Sequence, residues 1–550
     1  MTPLRSSTAP AGNNLTAAAP GHIASRAVGT ALIWLPAACV LLPLLIVGWR
    51  SLGGAGTAWE RVVQYRLWDY LGSTALLIFL VVMLAIAVGV TCAWLVSAYD
   101  FAGRRSLEWL LILPLGVPGF VAGAAYLDGF EQATPLFLWV REHVGLEAFL
   151  FSQRILPWFG TVLVLVVTLY PYVYLSCRAS FAGRQADLIE AARMLGCSPV
   201  RAFFRIVLPL ARPAIAAGAA LVAMETANDY GVVTLFGINT LTPGVFRSWS
   251  EGSLVSAMRL ALILLGLVMF VLVLERAQRG RRGYAGDTRE RPLARRPVVG
   301  GKAALVWIVC GIPLLLGFVW PVFRFLRWGL AASNSADWSG YWGALFNSTW
   351  LSLLACAVVV ATAFWLTAGR RAHRLPGGDS IQNMASLGYA IPSALLAVGI
   401  GALVSDLSRV GGLAWLALSA SATGLVFAYW VRFMAVGIQP VAAGQAGVAH
   451  DLHAAARTLG HTASRALFRV DLRLLMPALT GAAMLCFVDV FKELTLTLVM
   501  RPFDFETLAT LTFRLTSEGR IPEASVPALV LVAGGMIGVA ALNRLMRSPR

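Results

Sequence analysis

The sequence has little charge, and most of the charge it has is positive. Only 13% of the 550 residues are Asp, Glu, Lys or Arg, and Lys plus Arg number 44 against 27 for Asp plus Glu. Hydrophobic residues make up 58%, whereas ordinary soluble domains are about 45–50% apolar. With a mean hydropathy of +0.74, this composition excludes a soluble globular domain and indicates a membrane protein.

Cysteine motifs and common catalytic motifs are also missing. The seven cysteines are scattered singly and form no CxxC pair, which excludes a disulfide framework and a Cys-based metal or redox site. The apolar runs contain neither HExxH nor GxSxG. VVGGK at 298–302 has the wrong glycine spacing for a phosphate loop and is followed by Ala303. We therefore expect no ATPase activity and no bound cofactor in this chain.

The basic excess gives a net charge of +17 and a pI of about 10.2. A nucleic-acid partner is not indicated, because the arginines do not form one soluble basic face. They cluster in every second segment between the apolar runs, and these segments lie on the same side of the membrane. This distribution is typical of the positive-inside rule and predicts an even number of spans with both termini in the cytoplasm. The first apolar run is too long for a signal-peptide core, so we expect it to be retained.

Long apolar runs are candidate membrane spans, because a helix satisfies its own backbone groups across about 30 Å of hydrocarbon. The sequence predicts twelve spans in an all-α integral membrane protein. They lie near residues 27–49, 73–98, 107–128, 156–177, 213–236, 253–274, 303–325, 345–367, 382–404, 412–434, 477–499 and 525–543.

The segment 276–302 is basic, lacks apolar periodicity and divides the chain into halves of six spans each. It resembles a fusion joint. The predicted organisation is a cytoplasmic tail at 1–26, a first membrane domain at 27–275, the cytoplasmic linker at 276–302 and a second membrane domain at 303–545. Each domain carries a polar cytoplasmic insert before its fifth span, at 181–212 and at 436–475.

The two inserts are copies of each other. A shift of 264 residues places 190–215 on 454–479 without a gap, and thirteen of the 26 pairs are identical. Both inserts precede a fifth span, so the repeat is parallel and predicts two pseudo-symmetric halves with a pathway at their interface.

Each insert has a short helix-forming stretch, a glycine and a second basic amphipathic stretch, which predicts helix, sharp turn, helix. Such a protruding pair suits docking onto a two-fold partner. The physical pattern favours docking but also allows amphipathic helices that only lie on lipid headgroups.

The first insert resembles the EAA motif of permease subunits in binding-protein-dependent ABC importers, and it shows no departure from that motif. The matching residues are Glu190, Ala191, Ala192, Gly196, Ile206, Leu208 and Pro209. The segments at 227–249 and 490–513 resemble the iron(III) permeases most closely. Permeases for thiamine and for phosphonates share the same plan and remain alternatives for the substrate.

This resemblance implies a type I importer permease fold in the bacterial inner membrane. It also implies two cytoplasmic ATPase subunits that bind ATP and Mg²⁺, and a periplasmic binding protein that delivers iron(III). In that family each insert is a coupling helix seated in a groove of an ATPase subunit. ATP-driven closure of the ATPase dimer then moves the spans between inward- and outward-facing states.

The second insert departs from the motif. It keeps Ala455, Ala456 and Gly460, but Ala454 replaces the glutamate and Arg473 replaces the proline. Val470 also stands in place of the isoleucine. We therefore expect unequal docking sites, with the first insert the more sensitive to mutation.

Four acids lie within apolar runs, where charge is costly and commonly functional. Glu225 and Asp229 correspond to Asp489 and Glu493 under the same shift. A spacing of four predicts one helix face for each pair, and carboxylate oxygens suit a hard cation such as iron(III). A structural role is equally open, since Lys492 stands three residues after Asp489.

Other candidate functional residues are less strongly supported by the sequence. His450, His453 and His461 with Asp451 resemble a metal cluster, but their place in a solvated insert predicts no metal site. Pro118 and Pro392 lie in the third span of each half and predict kinks. Two functions of another class stay open: a membrane-embedded enzyme using the buried acids, and a secondary transporter working without an ATPase.

Overall fold

The computed structural model describes residues 20–54, 56–181, 194, 196–279, 295–331, 338–369, 378–411, 422–446 and 450–547. Apart from one two-residue strand pair, the regular structure in these ranges is helical.

The first half contains α1 Pro20–Ser51, α2 Gly56–Tyr65, α3 Leu67–Ala98, β1 Tyr99–Asp100, α4 Arg104–Leu110, a 3₁₀ turn Leu113–Gly116, α5 Gly119–Gln132, α6 Thr134–His143, α7 Leu146–Phe181, α8 Pro199–Ala202, a π-helical turn Phe203–Val207, α9 Leu208–Leu210, α10 Arg212–Asn228, α11 Gly231–Leu235, α12 Leu241–Ser250 and α13 Leu254–Arg279.

The second half contains β2 Arg296–Pro297, α14 Gly301–Leu314, a π-helical turn Leu315–Val319, α15 Trp320–Ala331, α16 Trp338–Phe364, a π-helical turn Trp365–Gly369, α17 Gly378–Ser386, a 3₁₀ turn Leu387–Tyr389, α18 Ser393–Gly411, α19 Ala422–Ala446, α20 His450–Thr458, α21 Ala463–Ala466, a π-helical turn Leu467–Asp471, α22 Leu472–Phe491, α23 Thr495–Met500, α24 Leu508–Ser517 and α25 Ile521–Arg547.

Helices long and apolar enough to cross a membrane number nine in the described ranges, or twelve if each bent helix pair is one span. Large apolar side chains such as Leu45, Phe79 and Phe270 are exposed on these helices, as expected for surfaces that face lipid tails. The twelve predicted spans are therefore confirmed in number when the bent pairs are counted as single spans.

The third span of each half is broken rather than continuous. The helix pair on either side of Pro118 is bent by 87°, and the pair on either side of Pro392 by 103°. A proline pushes the preceding residue towards extended backbone, and Val117 has φ −93° and ψ 118°. The two prolines thus mark breaks much sharper than the predicted kinks.

The internal repeat is visible element by element. Under the 264-residue shift, Pro199–Ala202 falls on Ala463–Ala466, and the π-helical turn Phe203–Val207 falls on Leu467–Asp471. Gly231 likewise falls on Thr495, so α11 and α23 begin at equivalent positions. Two pseudo-symmetric halves of six spans each account for this correspondence.

The first span of each half packs against the other half. Helix α1 lies against α17 and α18, while α15 lies against α5. Two equivalent ion pairs join these helices, Arg50 with Asp406 and Arg324 with Asp128. Each of the two hydrophobic cores consequently contains residues from both halves.

The ends of the predicted linker are structured, whereas residues 280–294 lie outside the described part. Helix α13 continues to Arg279. Beyond the linker's middle, Arg296 and Pro297 pair in parallel with Tyr99 and Asp100, and the Val298 amide donates to the Asp100 carbonyl at 2.8 Å. The second half therefore begins attached to the loop after α3.

Two predicted spans extend too far. Residues 213–236 were expected to be continuous, but α10 ends at Asn228 and a separate short helix follows. Residues 477–499 were expected likewise, but α22 ends at Phe491. Both breaks coincide with a carboxylate that hydrogen-bonds to backbone amides of the following short helix, a local interaction that hydropathy does not reveal. The predicted span 412–434 corresponds to α19, with 412–421 outside the described residues.

Candidate functional site

The four acids lie around the two helix breaks. Glu225 is in the last turn of α10, and Asp489 is in the last turn of α22. Asp229 and Glu493 lie just beyond these helices, so the expectation that each pair shares one continuous helix face is wrong. The chain turns between the two members of each pair.

Asp229 and Glu493 hold the short helices that follow. One carboxylate oxygen of Asp229 accepts hydrogen bonds from the amides of Val232 and Val233 at 2.9 and 3.1 Å. The Glu493 carboxylate accepts one from the Leu496 amide at 3.0 Å. These bonds satisfy amides that a helix start leaves without partners, which explains why the spans break at these positions.

The acids are paired with polar partners. Lys492 Nζ lies 3.0 Å from Asp489, as the i,i+3 spacing allowed. The Arg432 guanidinium Nε lies 3.7 Å from Glu493, and the Tyr389 hydroxyl donates to Glu225 at 2.9 Å. Since Glu225 belongs to the first half and Tyr389 to the second, this hydrogen bond crosses between the halves.

Helices from both halves line a cavity of about 150 Å³ next to these charges. Both halves contribute to its lining, which includes Pro118, Gly119, Glu225, Asn228, Asp229, Ser393, Arg432, Lys492, Glu493 and Thr495. With three carboxylates and two cations in its wall, the cavity is polar within an otherwise apolar interior. It lies where the pseudo-twofold repeat predicts a pathway.

No metal-binding group of three or more His, Cys, Asp or Glu residues occurs in the part of the chain that the structure describes. The four acids therefore lie near one another without converging on a common ion-binding point. Of the histidine group in the second insert, His461 is described, whereas the side chains of His450, Asp451 and His453 are outside the described set. The role of the acids in a pathway stays a prediction.

Sequence reasoning missed several residues of this cavity. Arg432 lies in the middle of α19 and is 5% exposed; a charge inside the run FAYWVRFMAV was a detectable signal. Tyr389 and Ser393 offered no such signal, because they approach the acids only through the bend beside Pro392. Lys492 was noticed as a partner of Asp489 but not as a cavity residue.

The two inserts present matched surfaces. Gly196 and Gly460 have φ of +77° and +87°, the left-handed backbone expected after each short helix. Phe204 and Phe468 are each 60% exposed, and arginines adjoin both. Ile206, Leu208 and Pro209 are half-buried, Ala455 is exposed and Ala456 is buried. Glu190, Ala191 and Ala192 lie outside the described residues.

The inserts differ where they join the fifth spans. In the first half, Phe203–Leu210 and Arg212–Asn228 meet at a bend of 62°, whereas Ala463–Phe491 of the second half passes as one span. The first junction has Pro209 and Pro213, and the second has only Pro477 because Arg473 replaces the motif proline. Two prolines four residues apart interrupt the helical hydrogen bonds more than one does.

Comparison with known proteins identifies the family. Residues 85–279 match the family described as binding-protein-dependent transport system inner membrane component. The chain is 30% identical over 204 residues to the molybdenum transport system permease protein ModB of Escherichia coli strain K12, covering 36% of this chain and 86% of that relative. The chain belongs to this permease family. It is a transport permease subunit and not an enzyme.

One relative of this permease matches along nearly the whole chain. The Fe(3+)-transport system permease protein FbpB 2 of Haemophilus influenzae is 25% identical over 532 residues, which cover 93% of this chain and 96% of that relative. The sulfate transport system permease protein CysW of Escherichia coli strain K12 is 30% identical over 162 residues, 30% of this chain and 53% of its own. The permease is thus a fused, two-half member of its family.

Proposed function

We propose that this permease imports iron(III) delivered by a periplasmic binding protein, with energy from ATP hydrolysed by two cytoplasmic ATPase subunits. The observation that supports iron is the match to an iron(III) permease over 93% of the chain. The molybdenum and sulfate permeases are shorter chains, and their matches cover 36% and 30% of this one. Oxygen-rich side chains in the central cavity also suit a hard cation.

In this proposal both termini are cytoplasmic, and the inserts at 181–212 and 436–475 seat on the ATPase subunits. The exposed Phe204 and Phe468, each followed by an arginine, support a docking role, because exposed aromatic side chains are typical of interaction sites. The cavity beside Glu225, Asp229, Asp489 and Glu493 lies on the proposed path of the ion.

The substrate test uses the permease purified with its ATPase and reconstituted in liposomes. Candidate binding proteins for iron(III), thiamine, a phosphonate, sulfate and molybdate are added one at a time. We expect only the iron(III) protein to stimulate ATP hydrolysis and to support uptake of ⁵⁵Fe. Stimulation by another binding protein alone would reassign the substrate, and ⁵⁵Fe uptake without any ATPase would indicate a secondary transporter.

The coupling test compares equivalent glycines. A Cβ at Gly196 or Gly460 meets no atom within 4 Å, so alanine there strains only the left-handed backbone, at about 1–2 kcal/mol. We expect Gly196→Ala and Glu190→Gln to reduce transport-coupled ATPase activity several-fold, and Gly460→Ala to reduce it less. Equal losses from the two glycine variants would show that the inserts couple equally.

A further inference from the structure

In the second half, the wall of the central cavity contains two buried donor atoms, one on Ser393 and one on Arg432, that have no hydrogen-bond acceptor. Another nitrogen of Arg432, Nη1, donates to the Ile391 carbonyl at 3.5 Å. Ser393 is 2% exposed and Arg432 is 5% exposed, and both line the cavity. The Ser393 hydroxyl and the Arg432 Nε have no hydrogen-bond partner in the structure. Buried polar groups are normally hydrogen-bonded, so this pair indicates a polar ligand.

Ser393 is also the first residue of α18, which extends for 19 residues. The first amide with an acceptor is that of Leu396, which donates to the Pro392 carbonyl at 3.0 Å. The amides ahead of it belong to the free set at a helix start, where the helix dipole favours negative charge. A helix start, a buried hydroxyl and a guanidinium together form an anion-binding arrangement.

The equivalent place in the first half already faces a carboxylate. Pro118 and Gly119, at the start of α5, correspond to Pro392 and Ser393. A Cβ at Gly119 would lie 3.7 Å from Asp229 Oδ2, so an acid of the protein faces that helix start. In the second half the corresponding Glu493 bonds to the Leu496 amide and lies beside Arg432.

We propose that the cavity binds one small oxyanion, of the sulfate, phosphate or carboxylate class, on the Ser393 hydroxyl, the first amides of α18 and the Arg432 guanidinium. The cavity, at about 150 Å³, is well below the roughly 300 Å³ at which pockets for drug-sized ligands begin. It therefore admits a small ion and excludes a nucleotide.

The carboxylates in the same wall carry negative charge that Arg432 and Lys492 offset in part, and they do not compete for the Ser393 hydroxyl or the first amides of α18, because each already has donors of its own. Glu225 accepts from Tyr389, Asp229 from two backbone amides and Glu493 from the Leu496 amide. An anion would accept from Arg432, whose Nε is 3.7 Å from Glu493 and outside hydrogen-bond distance. A mixed wall of this kind accommodates a cation together with its anion.

The anion site stands on the geometry alone, whereas its link to transport rests on the proposed function. A trivalent ion is costly to strip of water in a protein interior. An anion that accompanies iron(III) through the cavity would lower the net charge of the ion. The carboxylates of the wall, which already accept hydrogen bonds within the protein, offset that charge only in part.

The test measures equilibrium binding of ³⁵S-sulfate, and separately ³²P-phosphate, to the full-length permease in phosphatidylcholine nanodiscs without iron. We expect saturable binding of one anion. Ser393→Ala should weaken it about ten-fold, the upper range for one hydrogen bond. Ser393→Asp, which fills the helix start with a fixed carboxylate, should abolish it, as should Arg432→Gln.

Thr161→Ala is the matched control. The Thr161 hydroxyl on α7 is fully buried and has no hydrogen-bond partner, but Thr161 does not line the cavity. It should bind the anion as the wild type does. If Arg432→Gln elutes as an aggregate, the two Ser393 variants decide. Absence of saturable binding to the wild type, or unchanged binding by Ser393→Asp, would overturn the site.

The iron experiment is kept separate. If ⁵⁵Fe uptake requires the iron(III) binding protein but the wild type binds no anion, the anion site is wrong and the proposed function stands. If anion binding is saturable and depends on Ser393 while no iron is imported, the anion site stands and the proposed function is wrong.

Discussion

At the scale of single residues, the carboxylates at the helix breaks have two separable properties. They accept hydrogen bonds from backbone amides, and they carry negative charge. Asp229 and Glu493 were selected from the sequence because charge within an apolar run is costly. The structure shows that each also bonds to the amides of the short helix after it. Substitutions that keep the acceptor but remove the charge separate the two contributions.

We predict that Asp229→Asn lowers ⁵⁵Fe uptake at least ten-fold without changing thermal stability, because asparagine still accepts from the α11 amides while the charge is lost. Asp229→Ala should lose uptake and also about 1 kcal/mol of stability, the usual value of such a cap. Uptake in liposomes and the unfolding temperature of the purified protein measure the two effects. Normal uptake by Asp229→Asn would leave this carboxylate with a structural role only.

A second prediction concerns Glu506, in the loop between α23 and α24. Its carboxylate accepts from Arg514 at 2.7 and 3.1 Å and from Arg501 at 3.3 Å. Burial by itself would raise the pKa of Glu506, but the two arginines outweigh it and hold the pKa below its ordinary value. The ion cluster therefore stabilises the folded loop only while Glu506 is ionised.

Because the folded pKa is depressed, this contribution is complete above the unfolded value, about 4.3, and is lost as pH falls through the lower folded pKa. We expect the amide protection factors in residues 501–507, that is, exchange rates measured relative to intrinsic exchange at the same pH, to fall over that acid range. Glu506→Gln should show fast exchange already at neutral pH. Glu518→Gln, which removes a more exposed partner of Arg514, is the control and should change exchange little. Identical exchange in the wild type and Glu506→Gln would contradict the prediction.

At the scale of elements, contacts between helix backbones join the two halves. A Cβ at Gly535 of α25 would lie 1.9 Å from the Gly116 carbonyl oxygen of the first half. No side chain fits there unless the helices separate. At Gly311 of α14, by contrast, a Cβ meets nothing within 4 Å.

We predict that Gly535→Ala destabilises the folded protein by about 1–3 kcal/mol or more, the usual range for overpacking. Gly311→Ala should be neutral or stabilising by up to about 1 kcal/mol, because alanine favours helix over glycine. Thermal unfolding of both variants in one detergent gives the comparison. A Gly535→Ala protein as stable as Gly311→Ala would mean that the halves do not pack this closely.

At the scale of the whole molecule, the two halves exchange their first spans and do not simply lie side by side. The first span of each half packs on the other, both hydrophobic cores are mixed, and two equivalent ion pairs join the halves. Such a shared apolar core favours stable association even without a covalent link.

We therefore predict that a chain cut between residues 285 and 286, produced as two pieces, copurifies as one complex and retains most of its ⁵⁵Fe uptake. The cut leaves Arg296 and Pro297 with the second piece, so their pairing with Tyr99 and Asp100 is preserved. Asp128→Asn combined with Asp406→Asn removes both ion pairs and should lower the yield of the complex. Pieces that purify separately would show that the linker holds the halves together.

The sequence by itself determined the number of spans, the two-half plan and the matched inserts. These follow from hydropathy, arginine placement and a repeat of 264 residues, which are local or periodic properties of the chain. The tertiary structure decided where spans break, which partners the acids have and that the first spans are exchanged. Those outcomes depend on residues far apart in sequence, such as Arg432 with Glu493 and Tyr389 with Glu225, that meet only when helices from both halves pack together.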